Sequence, residues 1–226
     1  MTRKTSVVVI DYGLGNLFSI LRALQRLGAQ ALLSRDPKTV FSAGRIILPG
    51  VGAFGDGMKG LSENSLIEPI KAFAQSGRPI LGICLGMQLL MEEGTEFGLH
   101  QGLGIVRGGT ASLSRSIATR SKVPHVGWNL VRPPKQRNPG PRPWEGTILA
   151  GLPVSSYFYF VHSFVVVPAD PAERIAETAH AGSAFCSALH SGSVSGCQFH
   201  PEKSGPAGLK VLRNFLALRP SSRRPA

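Results

Sequence analysis

Short apolar runs alternating with segments of helical period constrain the first third of this chain to one kind of fold. Ser6 to Asp11 carries three valines and an isoleucine in succession, the pattern of a strand buried on both faces. After the turn Tyr12 to Gly15, Asn16 stands where it can cap a helix, and Leu17, Ile20, Leu21, Leu24 and Leu27 keep helical spacing up to a stop at Gly28. Ala31 to Ser34 and Arg45 to Leu48 read as the second and third strands, Leu66 to Gln75 as a helix, and Arg78 to Leu81 as a further buried strand. Strands that alternate with helices form a parallel sheet, whose binding crevice lies at the carboxyl ends of the strands. The pair Gly13 and Gly15 after a strand resembles part of a dinucleotide fingerprint. That reading is rejected, because Phe18 stands in the place of the third glycine and no ribose-binding acid follows a second strand.

The stretch Gly82-Ile-Cys-Leu-Gly-Met-Gln88 closes the last of these strands and opens a helix predicted to run through Met91 and to end at Gly94. A cysteine on so tight a bend, with a glycine two positions away on either side, matches a nucleophile elbow. There the sulfur faces the first amides of a helix, which favour the thiolate and can bind a developing oxyanion. On its own, a cysteine in an apolar run is more often a small buried hydrophobe, and the flanking glycines and the rest of the chain change that reading. Pro49 to Gly52 ends the third strand and should lie on the same sheet edge as Cys84. Its glycines let a backbone amide turn toward a reacting carbonyl, and as a bare sequence it is also an ordinary loop.

Beyond the elbow the pattern changes to short, turn-bounded strands: 103–106, 123–130, 157–167, 174–178, 184–190 and 194–200, followed by a closing helix over 207–218. The whole predicts an α/β protein of one domain, residues 1–218, with a central mostly parallel sheet flanked by helices and an added set of antiparallel strands. Residues 219–226 form a basic tail predicted to be disordered. Near the end, Pro201 disfavours helical geometry at His200, so His200 and Glu202 are expected on an extended segment with their side chains on one side. A carboxylate beside an imidazole fixes its tautomer and stabilises the imidazolium, the orienting role in a catalytic triad. With Cys84, this gives a nucleophile that takes its base from another strand.

The formal charge of +12 raises the question of nucleic acid. The basic residues gather at 115–122, in the proline-rich loop 132–143 and in the tail, without interleaved aromatics or a nucleic-acid motif, and read as solvated surface. Three cysteines without metal-like spacing fit a reducing compartment. With no apolar run of membrane length and no leader-like N-terminus, the expectation is a cytoplasmic protein that needs no metal and no cofactor.

Taken together, Gly82 to Gln88 and His200-Pro-Glu202 resemble the class I (triad) glutamine amidotransferases over nearly the whole chain. Five stretches, 11–16, 49–54, 123–129, 159–163 and 200–204, make it similar within that class to the glutaminase subunits of imidazole glycerol phosphate synthases. The resemblance implies hydrolysis of L-glutamine to glutamate and ammonia through a thioester on Cys84, with His200 as general base and acid and Glu202 as its orienter. It further implies an oxyanion hole from the Gly50, Val51 and Gly52 backbone and the Leu85 amide, and a glutamine pocket around Gln88, His162 and Ser163. Asn16, Trp128, Asn129 and Lys203 would face a (β/α)8 cyclase subunit in a heterodimer. That subunit would use the ammonia to form imidazole glycerol phosphate and an aminoimidazole carboxamide ribotide for histidine synthesis. The rival readings are a glutaminase of another biosynthetic pathway and a non-catalytic regulatory protein on the same fold. Against the first stand Gly127 to Asn129 and Tyr159 to Ser163, and against the second the intact cysteine, histidine and glutamate. The loop 132–143 is longer and more basic than the resemblance leads one to expect, and Cys197 stands where valine is common.

Overall fold

A computed structural model describes residues 6–113, 123–135 and 142–220. The clusters at 115–122 and 221–226 and residues 136–141 of the proline-rich loop lie outside the described residues. In chain order the elements are β1 (Ser6–Ile10), α1 (Leu17–Arg26), β2 (Gln30–Ser34), α2 (Pro37–Ser42), β3 (Ile46–Leu48), α3 (Phe54–Glu63), α4 (Ile67–Gln75), β4 (Ile80–Ile83), α5 (Leu85–Leu89), β5 (Met91–Gly94), β6 (His100–Gln101), β7 (Val106–Ser112), β8 (His125–Val131), β9 (Ser156–His162), β10 (Phe164–Pro168), β11 (Arg174–His180), β12 (Ser183–Ser191), β13 (Val194–Cys197) and α6 (Gly205–Ala217).

A seven-stranded sheet in the order β11-β12-β13-β4-β3-β1-β2 forms the centre. Its β2, β1, β3, β4 and β13 run parallel, while β12 and β11 are antiparallel additions beside β13. The alternation within β1 shows why its run is apolar throughout. Val7 and Val9 pack on one side with Ile20 and Leu24 of α1 and Val211, Leu212 and Phe215 of α6. Val8 and Ile10 pack on the other with Val40, Leu61, Ile70 and Phe73 from α2, α3 and α4. A second sheet, β10-β7-β5-β6, and the hairpin-like pair β8-β9 complete the fold.

The structure departs from the sequence expectation at several places: helices α2 and α3 stand where none was read, the run 157–167 is two strands in different sheets, and the strand read over 194–200 ends at Cys197. The helix after the elbow stops at Leu89, and Met91–Gly94 is the strand β5, because β6 and β7 pair with it on its two sides. The run 103–106 is mostly connection, with β7 beginning only at Val106. His200 has an extended backbone, but Pro201–Lys203 is a turn of 3₁₀ helix, not a continuation of the strand. Elsewhere the stops are as read: Gly28 takes φ +76° just beyond α1. Asn16 precedes α1 without a capping bond from its side chain.

Candidate active site

Parallel strands put their carboxyl ends on one edge of a sheet, and four of them deliver segments to one site: Asp11 to Gly15 after β1, Pro49 to Gly52 after β3, Cys84 after β4 and Gln198 to His200 after β13. Cys84 has φ 53° and ψ −110°, a conformation that costs a residue with a side chain about 1–3 kcal/mol. The bend needs both glycines. A Cβ at Gly82 would stand 2.7 Å from the Met87 Cα, and one at Gly86 would overlap the Leu48 carbonyl. The Cys84 amide is tied to the Cys197 carbonyl at 2.8 Å, which locks the elbow to β13. Leu85 is the first helical residue, so its N–H has no acceptor within α5 and remains available at the sulfur.

The sulfur opens onto a cavity of about 280 Å³, a size for a small metabolite, lined among others by Val51, Gly52, Leu85, Gln88, Glu96, His162, Ser163 and Phe164. Gly50 stands behind this wall. The Tyr12 hydroxyl donates to the Pro49 carbonyl at 2.6 Å, and a Cβ at Gly50 would overlap that hydroxyl and press on Leu85. Burial, then the proximity of Cys84, raises the Tyr12 pKa far above its ordinary value, so the phenol stays a donor.

His200 arrives from the other side of the elbow. Its Nδ1 lies 2.8 Å from Glu202 Oε1, both side chains being essentially buried at 2% and 0% exposure. A carboxylate only accepts, so Nδ1 donates and Nε2 is left free to take a proton. Among the described residues that Nε2 is buried and makes no well-formed hydrogen bond, and the group that acts on the ring from this side is the Cys84 sulfur. Burial pushes the histidine pKa down, but Cys84 and Glu202 outweigh it and leave it raised to about 10. A buried imidazole that is drawn toward protonation by a neighbouring sulfur suits proton exchange with that sulfur. Its backbone is fixed as well, with the His200 N–H on the Tyr159 carbonyl at 2.9 Å and the Ser204 hydroxyl on the His200 carbonyl at 2.6 Å.

Of the predicted site residues, Cys84, Leu85, Gln88, Val51, Gly52, His162 and Ser163 line one cavity. Trp128 is 57% exposed, edge-on to Tyr159, and Lys203 is exposed with its Nζ 5.6 Å from the same Tyr159 ring. Asn16 is half-buried, and Asn129 turns its amide inward, to the Ala179 carbonyl and His125. Sequence reasoning missed two residues here. Glu96, whose Oε2 accepts the Phe54 N–H at 2.9 Å, brings a carboxylate to the cavity from a loop that carries no pattern. Gln198 donates from Nε2 to the Cys84 sulfur at 3.5 Å and accepts from Gln88 at 3.1 Å. Its signal was the alternation two residues before His200.

The class I glutamine amidotransferase family model matches residues 8–218, and the chain belongs to that family. Within it, the chain is 46% identical over 217 residues to imidazole glycerol phosphate synthase subunit HisH 1 of Legionella pneumophila strain Lens, covering 95% of this chain and 100% of that one. The subunit HisH of Syntrophotalea carbinolica is 44% identical over 212 residues, 92% and 98% of the two chains. Solved structures share the fold at lower identity. PurLQS from Thermotoga maritima superposes with TM-score 0.69 at 20% identity, covering 95% of this chain and 98% of that one. Another glutamine amidotransferase superposes with TM-score 0.68 at 18% identity, covering 92% and 96%.

Proposed function

We propose that the chain is the glutaminase subunit of an imidazole glycerol phosphate synthase and that Cys84, His200 and Glu202 carry the reaction. The Cys84 thiolate adds to the glutamine carboxamide carbon, and the oxyanion is held by the Leu85 N–H together with an amide of the Gly50 to Gly52 segment. His200, protonated on Nε2 and oriented by Glu202, gives its proton to the departing ammonia. Water then attacks the thioester carbon with His200 as base, and glutamate leaves. In the same reading the Glu96 carboxylate receives the α-ammonium of glutamine and Ser163 borders its carboxylate. The single observation that carries this reading is the buried Nε2 of His200, unbonded to any other described residue and drawn toward protonation by a cysteine held on a strained elbow.

The ammonia passes to a cyclase subunit with a (β/α)8 barrel. Support comes from the outer face of β8 and β9, where Val126, Trp128 and Tyr157 are all more than half exposed and lead to Val161 at the rim of the cavity. Apolar residues clustered in this way mark an interaction surface. Identity of 44–46% to subunits named for imidazole glycerol phosphate synthesis favours this pathway over other glutaminases. The test is glutamine hydrolysis by the chain copurified with a (β/α)8 cyclase, for parent and Cys84→Ala. Ammonia release by the parent alone, with a trapped glutamyl thioester, is the expected result. Equal release by both, or copurification with a synthetase of another pathway, overturns it.

A further inference from the structure

Two buried histidines outside the triad, His125 on β8 and His162 on β9, face each other across the strand pair with His125 Nδ1 3.0 Å from His162 Nε2. The protons on this contact follow from its two ends. At one end His162 Nδ1 lies 3.0 Å from the Phe164 carbonyl, which can only accept, so Nδ1 carries the proton and Nε2 accepts. His125 must then donate from Nδ1, leaving its own Nε2 as an acceptor. The other end is fixed independently. The Asn129 Oδ1 accepts the Leu130 N–H at 2.7 Å, and its Nδ2 has one hydrogen for the Ala179 carbonyl at 3.0 Å and one for His125 Nε2 at 3.1 Å. The sense required at the cavity end is the sense supplied at the strand end.

The Phe164 carbonyl also accepts from Gln88 Nε2 at 3.0 Å, and Gln88 bonds Gln198, which reaches the Cys84 sulfur. The four groups Asn129, His125, His162 and Phe164 thus form a one-way chain ending on the carbonyl that places Gln88. We propose that His125 is a positioning residue for the glutamine pocket, acting through His162 on the Phe164 carbonyl and Gln88, and that it ties this pocket wall to the strand carrying Trp128. This rests on the reading of the Cys84 cavity as a glutamine site. Burial supports the uncharged chain, and the titratable groups facing it among the described residues are His180, whose ring lies 4.2 Å from that of His125, and His200.

Two measurements on the full-length chain test it. In ¹⁵N-histidine-labelled parent protein at pH 7, long-range ¹H–¹⁵N correlation should show both rings as the Nδ1–H tautomer. An Nε2–H form of either ring overturns the chain whatever any variant does. The second measurement is the concentration dependence of Cys84 labelling by a diazoketone analogue of glutamine, with iodoacetamide as a reagent that needs no pocket. His125→Phe keeps a ring against Phe160 and removes both bonds, whereas His125→Asn returns an N–H near the Nδ1 position. Loss of one buried donor should weaken the half-saturating analogue concentration of His125→Phe by roughly 10-fold, with the limiting rate and the iodoacetamide rate unchanged and most of the loss recovered in His125→Asn. Parent-like saturation in His125→Phe, or an equal fall with iodoacetamide, refutes the positioning role. A parent whose Cys84 reacts with iodoacetamide and never with the analogue would instead refute the glutamine site, leaving the tautomers to decide the chain.

Discussion

Cys84 and Cys197 are joined by a 2.8 Å bond from the amide of the first to the carbonyl of the second, so the nucleophile's backbone is anchored to the strand that ends three residues before His200. The elbow and the base are therefore carried by two adjacent, directly paired strands of the sheet. Its strained φ of 53° inverts the usual order of small residues at position 84. Cys84→Gly should be more stable to urea than Cys84→Ala by about 1 kcal/mol, because glycine alone adopts this conformation without strain. Both should lose glutamine hydrolysis, on the order of 10⁶-fold for a nucleophile that works as part of a unit.

His200→Ala removes the base, whereas Glu202→Gln keeps the shape and permits the wrong tautomer. Both variants should be slowed on the order of 10⁴-fold in ammonia release, the histidine change at least as severely. Reaction of Cys84 with a glutamine-analogue alkylator should weaken in parallel. Undiminished labelling of His200→Ala at neutral pH would remove histidine from the mechanism.

Gly50 tests the wall behind the cavity. Gly50→Ala drives a methyl into the Tyr12 hydroxyl and Leu85, so it should displace the loop 49–52 and cut glutamine hydrolysis of the complex, about 10²–10³-fold if one oxyanion donor is lost. Tyr12→Phe makes room at one of the two contacts. The double variant should then lose less stability than the sum of the singles, as a thermal-unfolding cycle would show.

The same segment bears on activation. If partner binding turns a Gly50 to Gly52 amide toward the oxyanion, glutaminase rate should rise from the chain alone, to the chain with cyclase, to the complex with the cyclase's nucleotide substrate. Equal rates in all three would sink coupling through this segment.

Cys186 and Cys197 are fully enclosed, and burial raises the first to about 12 and the second well above its ordinary value. Native protein should present one thiol to a charged disulfide reagent at pH 7.5 and three after denaturation. Reaction of Cys197 in the folded chain would show that β13 opens.

The histidine chain sets a pH limit. Burial, followed by neighbouring histidines, lowers His125 to about 4 and His162 to about 3, against an ordinary value near 6.5. The unfolded chain therefore binds protons below pH 6.5 that the folded chain does not. Stability present above pH 6.5 is lost as pH falls toward 4 and 3. Urea midpoints should decline over that range, and His162→Gln should flatten the decline while lowering the midpoint at pH 7.

The valine run of β1, the helical spacing of Leu17 to Leu27 and the glycines around Cys84 are local features, and their periods and backbone needs are written in consecutive residues. From them followed the parallel sheet, the edge where its loops meet, and the cysteine and histidine worth pairing. The sequence placed the helix end wrongly, since Met91–Gly94 has helical composition and becomes a strand only because β6 and β7 are there to pair with it. Glu96 carried no pattern at all. Gln198 and Cys84 are 114 residues apart, and their contact, like that of His125 with His162, depends on how β4, β13, β8 and β9 are brought together. Hydrogen bonds between side chains are directional to a few tenths of an ångström, and no one-dimensional period encodes them; only the packed sheet decides which donor meets which acceptor.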